Sequence, residues 1–234
     1  METIVKDFFQ KSYEDAINEH LFIRSFILNK DELFDYVNRV VDVKLLEYCN
    51  YVIDYCHIDY LTFQDVVQFS SLDDATTGIC QVLTRAHDGL HNLEVGQALL
   101  DDGTVRNEGA YRKYGENHAK TAIELGLVLE NSGCYFLTYL GEIYNDLETS
   151  VQNELLRRTI LRNRFFQKIL IKSQLGPVSI ENEMSFFSQS TIIRRLPNVR
   201  TLYNIMIGND PELLSVTKNI SVRNFCPERI CKHP

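Results

Sequence analysis

The sequence predicts a mainly α-helical chain with short β wings: an N-terminal helical domain followed by two helical units that each end in a wing. Three observations predict it. Apolar residues recur three and four apart through most of the chain. Turn signals of the hairpin kind stand out at Asn131-Ser132-Gly133 and at Asn209-Asp210-Pro211. Charge is divided along the chain: residues 1–110 hold 8 Lys and Arg against 20 Asp and Glu, a net of −12, whereas residues 151–234 hold 13 against 6, a net of +7. The expected boundaries are 1–75 for an acidic helical domain, 76–150 for the first unit, and 151–234 for a second, basic unit with a short tail.

Length and composition set the outer limits. At 234 residues, with 44% hydrophobic and 24% charged, the chain can build one large or two small cores of ordinary globular composition. No run approaches the ~18 apolar residues of a membrane helix. The start METIVKDFFQK lacks the form of a signal peptide, so a cytoplasmic protein with no membrane partner is expected. The six cysteines at 49, 56, 80, 134, 226 and 231 follow no framework spacing and are expected to be reduced. A net charge of −8 argues against indiscriminate affinity for nucleic acid, and the basic second half argues for phosphate contact there.

In the first domain, Phe8, Phe9, Tyr13, Ile17, Leu21 and Phe22 fall at helical spacing, as do Leu33, Phe34, Val37, Val40 and Val41. Leu45–Tyr60 is helical and rich in tyrosine. Its rings suit a core, and their surplus suits a homodimer or partner surface. Phe63–Asp74 reads as a short helix and a loop.

The first unit opens with a helix over Thr76–His87, with Ile79, Val82 and Leu83 inward. His87 and His91 stand four apart with Cys80 nearby, a spacing that supplies two zinc ligands on a continuous helix. The intervening Asp88-Gly89 predicts a turn instead, and no metal or cofactor is expected. A second helix covers Leu93–Leu100, and DDGTVRNEG leads into a third, Tyr111–Gly126. Ala119, Ala122 and Ile123 give that helix a small apolar face. Its polar side carries Arg112, Lys113, Asn117 and Lys120, beside the acidic Glu116 and Glu124. Asparagine can pair two groups of adenine, and Lys or Arg can meet guanine or phosphate. Gly126 ends the helix, LVLE and CYFLT form a hairpin, and Thr138 caps LGEIYNDL with Gly141 allowing a close approach to the hairpin. Helix, helix, helix, wing is the order of a winged-helix unit.

The second unit begins with a long basic helix over Leu155–Gln174, with Arg157, Leu161, Arg164, Lys168 and Lys172 on one side as a candidate phosphate track. Gly176-Pro177 ends it. SIENEMSFF is a helix capped at Ser179, Ser188–Ser190 is a turn, and an Arg-bearing segment follows in which Arg194 and Arg195 project together. Pro197 is expected to restart the helix over Asn198–Met206, with Arg200 and Asn204 on one face. IGNDPELLSVTKNISV would supply the second wing. Cys226, Cys231 and His233 fall in a loose tail.

GAYRKYGENHAKTAIELGLV and GCYFLTYLGEIY resemble the tandem winged-helix modules of bacterial restriction and phage-defence proteins. STIIRRLPNVRT resembles their second unit, with Tyr203 where that family carries a tryptophan and Pro197 as a departure. The resemblance spans roughly 76–207 and implies specific recognition of double-stranded DNA, often beside a separate nuclease or ATPase. The expected function is therefore sequence-specific DNA binding as a recognition or regulatory component in restriction, defence or transcription. The expected contacts are Arg112, Lys113, Asn117 and Lys120 in the first reading helix, Arg157, Arg164, Lys168 and Lys172 along the basic helix, and Arg194, Arg195, Arg200 and Asn204 in the second reader. Two alternatives stand beside it. One is a protein-interaction adaptor built from winged helices. The other is a nuclease, because Asp31 or Asp35 followed by Asp42-Val43-Lys44 resembles the metal sites of restriction-type nucleases. A solvated helix face explains the same charges. No Walker loop or nucleotide fingerprint is present.

Overall fold

A computed structural model describes residues 2–10, 30–86 and 88–222, and among the described residues three helices come first. They are α1 (Glu2–Gln10), α2 (Lys30–Asp42) and α3 (Leu45–Tyr55). Asp31 and Glu32 sit in the first turn of α2, where the helix dipole favours carboxylates. Val37 and Val40 of α2 are fully buried against Phe8 of α1 and Tyr48 and Val52 of α3. Phe8 meets Tyr48 edge-on at 5.2 Å, and Phe9 stacks on Tyr51 at 5.1 Å. Much of the aromatic surplus is thus core, while Tyr55 and Tyr60 remain exposed. Tyr13, Ile17, Leu21 and Phe22 lie outside the described residues.

Residues 56–71 form an irregular strap rather than the short helix and loop expected from Phe63 onward. Thr62 donates its amide and, at 2.8 Å, its hydroxyl to the Asp65 carboxylate, folding the strap locally. Its main-chain carbonyls bond to side chains from other elements, which removes the need for helical pairing.

The next stretch follows the expected order. A single π turn (Asp74–Gly78) runs into α4 (Ile79–Thr84), and Leu90 then forms an isolated antiparallel bridge with Tyr135. Helices α5 (Asn92–Leu99) and α6 (Glu108–Glu124) follow, the second capped by the Asn107 side chain accepting from Ala110 N. They cross backbone to backbone: a Cβ on Gly96 would stand 1.9 Å from Tyr111 O, and one on Gly115 would stand 2.0 Å from Asn92 O. Strands β1 (Val128–Asn131) and β2 (Cys134–Leu137) pair antiparallel, Val128 opposite Leu137 and Asn131 opposite Cys134. Ser132 and Gly133 both take positive φ, 53° and 81°, the backbone a two-residue hairpin turn requires. Thr138 caps α7 (Tyr139–Tyr144), accepting from Gly141 N at 3.2 Å and donating to Gly126 O at 2.7 Å. Gly141 presses on the hairpin so closely that a Cβ would lie 2.1 Å from Leu127 O.

Three expectations for the second half are corrected. Leu155–Gln174 is two helices, α8 (Thr149–Ile160) and α9 (Arg164–Ser173), parted at Asn163, whose side chain caps α9 by accepting from Phe165 N. Pro197 does not restart a helix: α11 (Gln189–Ile207) runs through it, with the proline and Ile193 on the exposed side where a lost hydrogen bond is least costly. The second wing is absent as a hairpin. Asp210 caps a 3-10 turn at Pro211–Leu213 by accepting from Glu212 N, so Asn209-Asp210-Pro211 starts a helical turn that continues into α12 (Leu214–Thr217). The chain then lays β4 (Ile220–Ser221) parallel to β3 (Val178–Ser179), the strand that leads into α10 (Ile180–Glu183).

One contiguous core joins these parts, from Val5 and Phe8 through Ile79, Val95 and Ile143 to Ile160, Leu202 and Leu213. The described residues are mainly helical with two small sheets. Among the described residues no helix is long and apolar enough to cross a membrane.

Candidate nucleic-acid interface

The polar side of α6 presents the four residues expected of a first reader. Arg112, Lys113 and Lys120 are exposed and Asn117 is half-buried between them. Each cation meets a carboxylate on its own helix. Arg112 bonds Glu108 at 2.5 Å, while Lys113 (3.2 Å) and Lys120 (2.5 Å) share the two oxygens of Glu116. The hydrogen bond from Lys120, then that from Lys113, holds the Glu116 carboxyl below its ordinary range. The hairpin turn lies against the start of α5, where the His91 ring bonds Gly133 O at 2.9 Å and lies 3.5 Å from Cys134 Sγ. Cys80, placed near His91 by the sequence reading, is instead fully buried, and His87 lies outside the described residues.

The cations of the second half are engaged differently. Arg157 reaches the carbonyls of Met206 (3.2 Å) and Ile207 (3.0 Å) at the end of α11 and pairs with Glu154. Its buried neighbour Arg158 does the same at the end of α2, donating to Val41 O (2.7 Å) and Val43 O (2.6 Å). Arg164 reaches Tyr60 O, Lys168 reaches Asp59 O, and Arg195 reaches Phe63 O (2.7 Å) and Val66 O (2.5 Å). Asn163 and Asn198 add bonds to Asp65 O and Phe69 O. The strap is thus fastened by side chains of α9 and α11. Lys172 is drawn off to Glu183 at 2.8 Å. Arg200 holds Nε and Nη2 buried without a partner, Asn204 is exposed, and Arg194 is exposed with no ion pair among the described residues.

Which group meets each cation decides the local field. A carboxylate cancels a guanidinium charge, whereas a carbonyl bonds it and leaves the full charge in place. Lys168 and Arg195 therefore keep their charge, as does Arg194, while the cations of α6 are largely compensated. Burial first, and then the neighbouring Arg194 charge, lowers the Arg195 pKa, consistent with cations crowded together.

Two buried groups fix the inner side of α6. His118, fully buried, accepts the amides of Ser70 and Ser71 at 3.3 Å on Nε2 and donates from Nδ1 to Tyr114 O at 2.7 Å; burial lowers its pKa and keeps it neutral. Glu124, at the end of α6, accepts from Asn163 Nδ2 at 2.6 Å. Burial pushes its carboxyl up to about 7 against the pull of that hydrogen bond, and nearby Asp65 adds to the rise. Asn163 thus ties the end of α6 to the strap and to the start of α9.

Glu124, expected on the outward polar face of α6, is instead turned inward to Asn163, and that pairing escapes a sequence reading because the two residues are remote in the chain. Gly96 and Gly115 carry a visible signal, glycine in a helix interior, which marks close backbone approach. The residues of the nuclease-like pattern do not assemble: Asp31, Asp35 and Asp42 are exposed along α2, and Lys44 pairs with Glu212 at 2.8 Å. Among the described residues no three His, Cys, Asp or Glu side chains gather as a metal-holding group. No family model matches the chain, and neither a curated protein nor a solved structure matches it.

Proposed function

We propose that this chain binds double-stranded DNA in a sequence-dependent manner, as a recognition or regulatory component of a restriction, defence or transcription system. The polar face of α6 and the β1–β2 turn are the reading surface. The observation that carries this is the order α4, Leu90, α5, α6, hairpin, with Leu90 joined to Tyr135 of β2 by an isolated antiparallel bridge. That is the order of a winged helix, which can lay one helix in a major groove with a hairpin turn beside it. Arg112, Lys113 and Lys120 are held by exposed pairs worth only ~0–1 kcal/mol each, so phosphate can replace Glu108 and Glu116 at little cost. Asn117, centred among them, is the base reader. Lys168, Arg194 and Arg195 supply the surrounding positive field, whereas Arg164 is partly compensated by Asp65 at 3.5 Å.

A gel shift on random duplex at low salt tests this. The wild type should bind, and K113A/K120A should bind more weakly with a salt dependence flatter by about one to two lost phosphate contacts. No shift by the wild type at low salt would overturn the proposal.

A protein-binding adaptor is the second reading. It is favoured by the placement of Glu108 and Glu116 within the same face, where carboxylates repel phosphate and suit a basic partner. Residues 1–75, with Tyr55 and Tyr60 exposed, would then serve as a dimer or partner surface. A variant with E108Q and E116Q separates the two, tightening DNA binding under the first reading and loosening partner binding under the second.

A further inference from the structure

Away from α6, three aromatic rings cluster where the strap passes α10 and α11. Phe63 of the strap is 62% exposed and Phe186 is 39% exposed. Phe187 is buried beneath them, its centroid 5.1 Å from Phe63 and 4.4 Å from Phe186. Arg195 covers the other side of this cluster, its guanidinium 4.9 Å from the Phe187 centroid, while its donation to Phe63 O fixes the strap residue that bears the outer ring. Large exposed rings are costly in water and mark a surface that expects an occupant.

We infer that Phe63 and Phe186 form a stacking platform for unpaired nucleotide bases, with Arg194, Arg195 and Lys168 attracting the sugar–phosphate backbone of a single strand. Charge chooses this occupant. Arg195 lies against the rings and bonds only carbonyls, its chain neighbour Arg194 is free among the described residues, and Lys168, fastened to Asp59 O of the same strap, likewise meets no carboxylate. An apolar helix would leave those charges unanswered, and the carboxylates of an acidic protein surface would answer them without covering the rings, whereas a single strand offers a π face to each ring and a phosphate to each cation. The platform is separate from the duplex-reading face of α6, so a single strand displaced or flipped from a duplex has its own place on the protein.

Fluorescence anisotropy with a labelled oligothymidylate tests the platform on the full chain. The wild type should bind with strong salt dependence. F63A/F186A should weaken binding ~10- to 100-fold; because the two rings cover Phe187 the thermal unfolding midpoint falls as well, and binding is measured well below it. K113A/K120A should leave oligothymidylate binding intact, so loss of the duplex reading and loss of this platform are told apart. The inference is overturned if the wild type does not bind oligothymidylate, or if F63A/F186A binds it as tightly as the wild type. It is equally overturned if light scattering shows F63A/F186A changing the oligomeric state while oligothymidylate affinity stays constant, which would make the rings an interface between copies.

Discussion

Replacing Glu124 with glutamine should stabilise the protein at neutral and alkaline pH and do nothing in mild acid. Burial raises the Glu124 carboxyl from 4.5 to about 7. Below pH 4.5 both folded and unfolded chains carry the protonated group, and the site costs nothing on this account. As pH rises from 4.5 towards 7 the unfolded chain releases its proton first, so folding stability falls throughout that window and levels off above it. The interval from 4.5 to about 7, at about 1.4 kcal/mol per pH unit, makes the cost about 3 kcal/mol at pH 8. Glutamine keeps an oxygen to accept from Asn163 Nδ2 and carries no charge to bury. Urea unfolding at a series of pH values from 4 to 8 measures the effect. E124Q should match the wild type near pH 4 and exceed it by about 3 kcal/mol at pH 8, a midpoint gain of about 6–12 °C for a chain of this size. Parallel curves for the two proteins across that range would refute the reasoning, because the titration would then lie elsewhere.

Three further substitutions probe the frame. R158L removes the buried donor to Val41 O and Val43 O and should cost about 3–5 kcal/mol in urea unfolding; a cost below ~1 kcal/mol would show those carbonyls to be solvated. R195A releases the strap from two charge-assisted bonds and should lose about 2 kcal/mol and open 56–71 to proteolysis, whereas exposed R194A should stay within about 0.5 kcal/mol of the wild type. G115A forces a methyl to within 2.0 Å of Asn92 O, so α5 and α6 must part at a cost of about 3 kcal/mol; unaltered stability would show that the crossing yields freely.

Local signals carried much of the first 150 residues. The hydrophobic spacing of α2, α3 and α6 and the Asn131–Gly133 turn act within a few residues, and the chain folds there as its own preferences dictate. The second half depends on distant partners. Arg157, Arg164 and Lys168 keep helical spacing across a break that exists because Asn163 bonds Glu124 and the strap, residues far away in the chain. The same i, i+4 cations are compatible with a solvated stripe, a phosphate track or a fastener for loop carbonyls. Only the position of residues 56–71 decides among them. Pro197 and Asn209-Asp210-Pro211 misled for a related reason: one proline lies on an exposed helix side, and the other begins a capped helical turn. The candidate reading helix was legible as a helix with a polar face, but its pairing with Glu108 and Glu116 weakens the field that the charge pattern implied.

Photocross-linking to a duplex substituted with 5-bromodeoxyuridine tests the central claim most directly, since it reports where the protein touches bases. Cross-linked peptides are expected from α6, residues 108–124, and from the hairpin turn at 131–133. Cross-links confined to residues 157–204, or none under conditions where the duplex is bound, would contradict that claim.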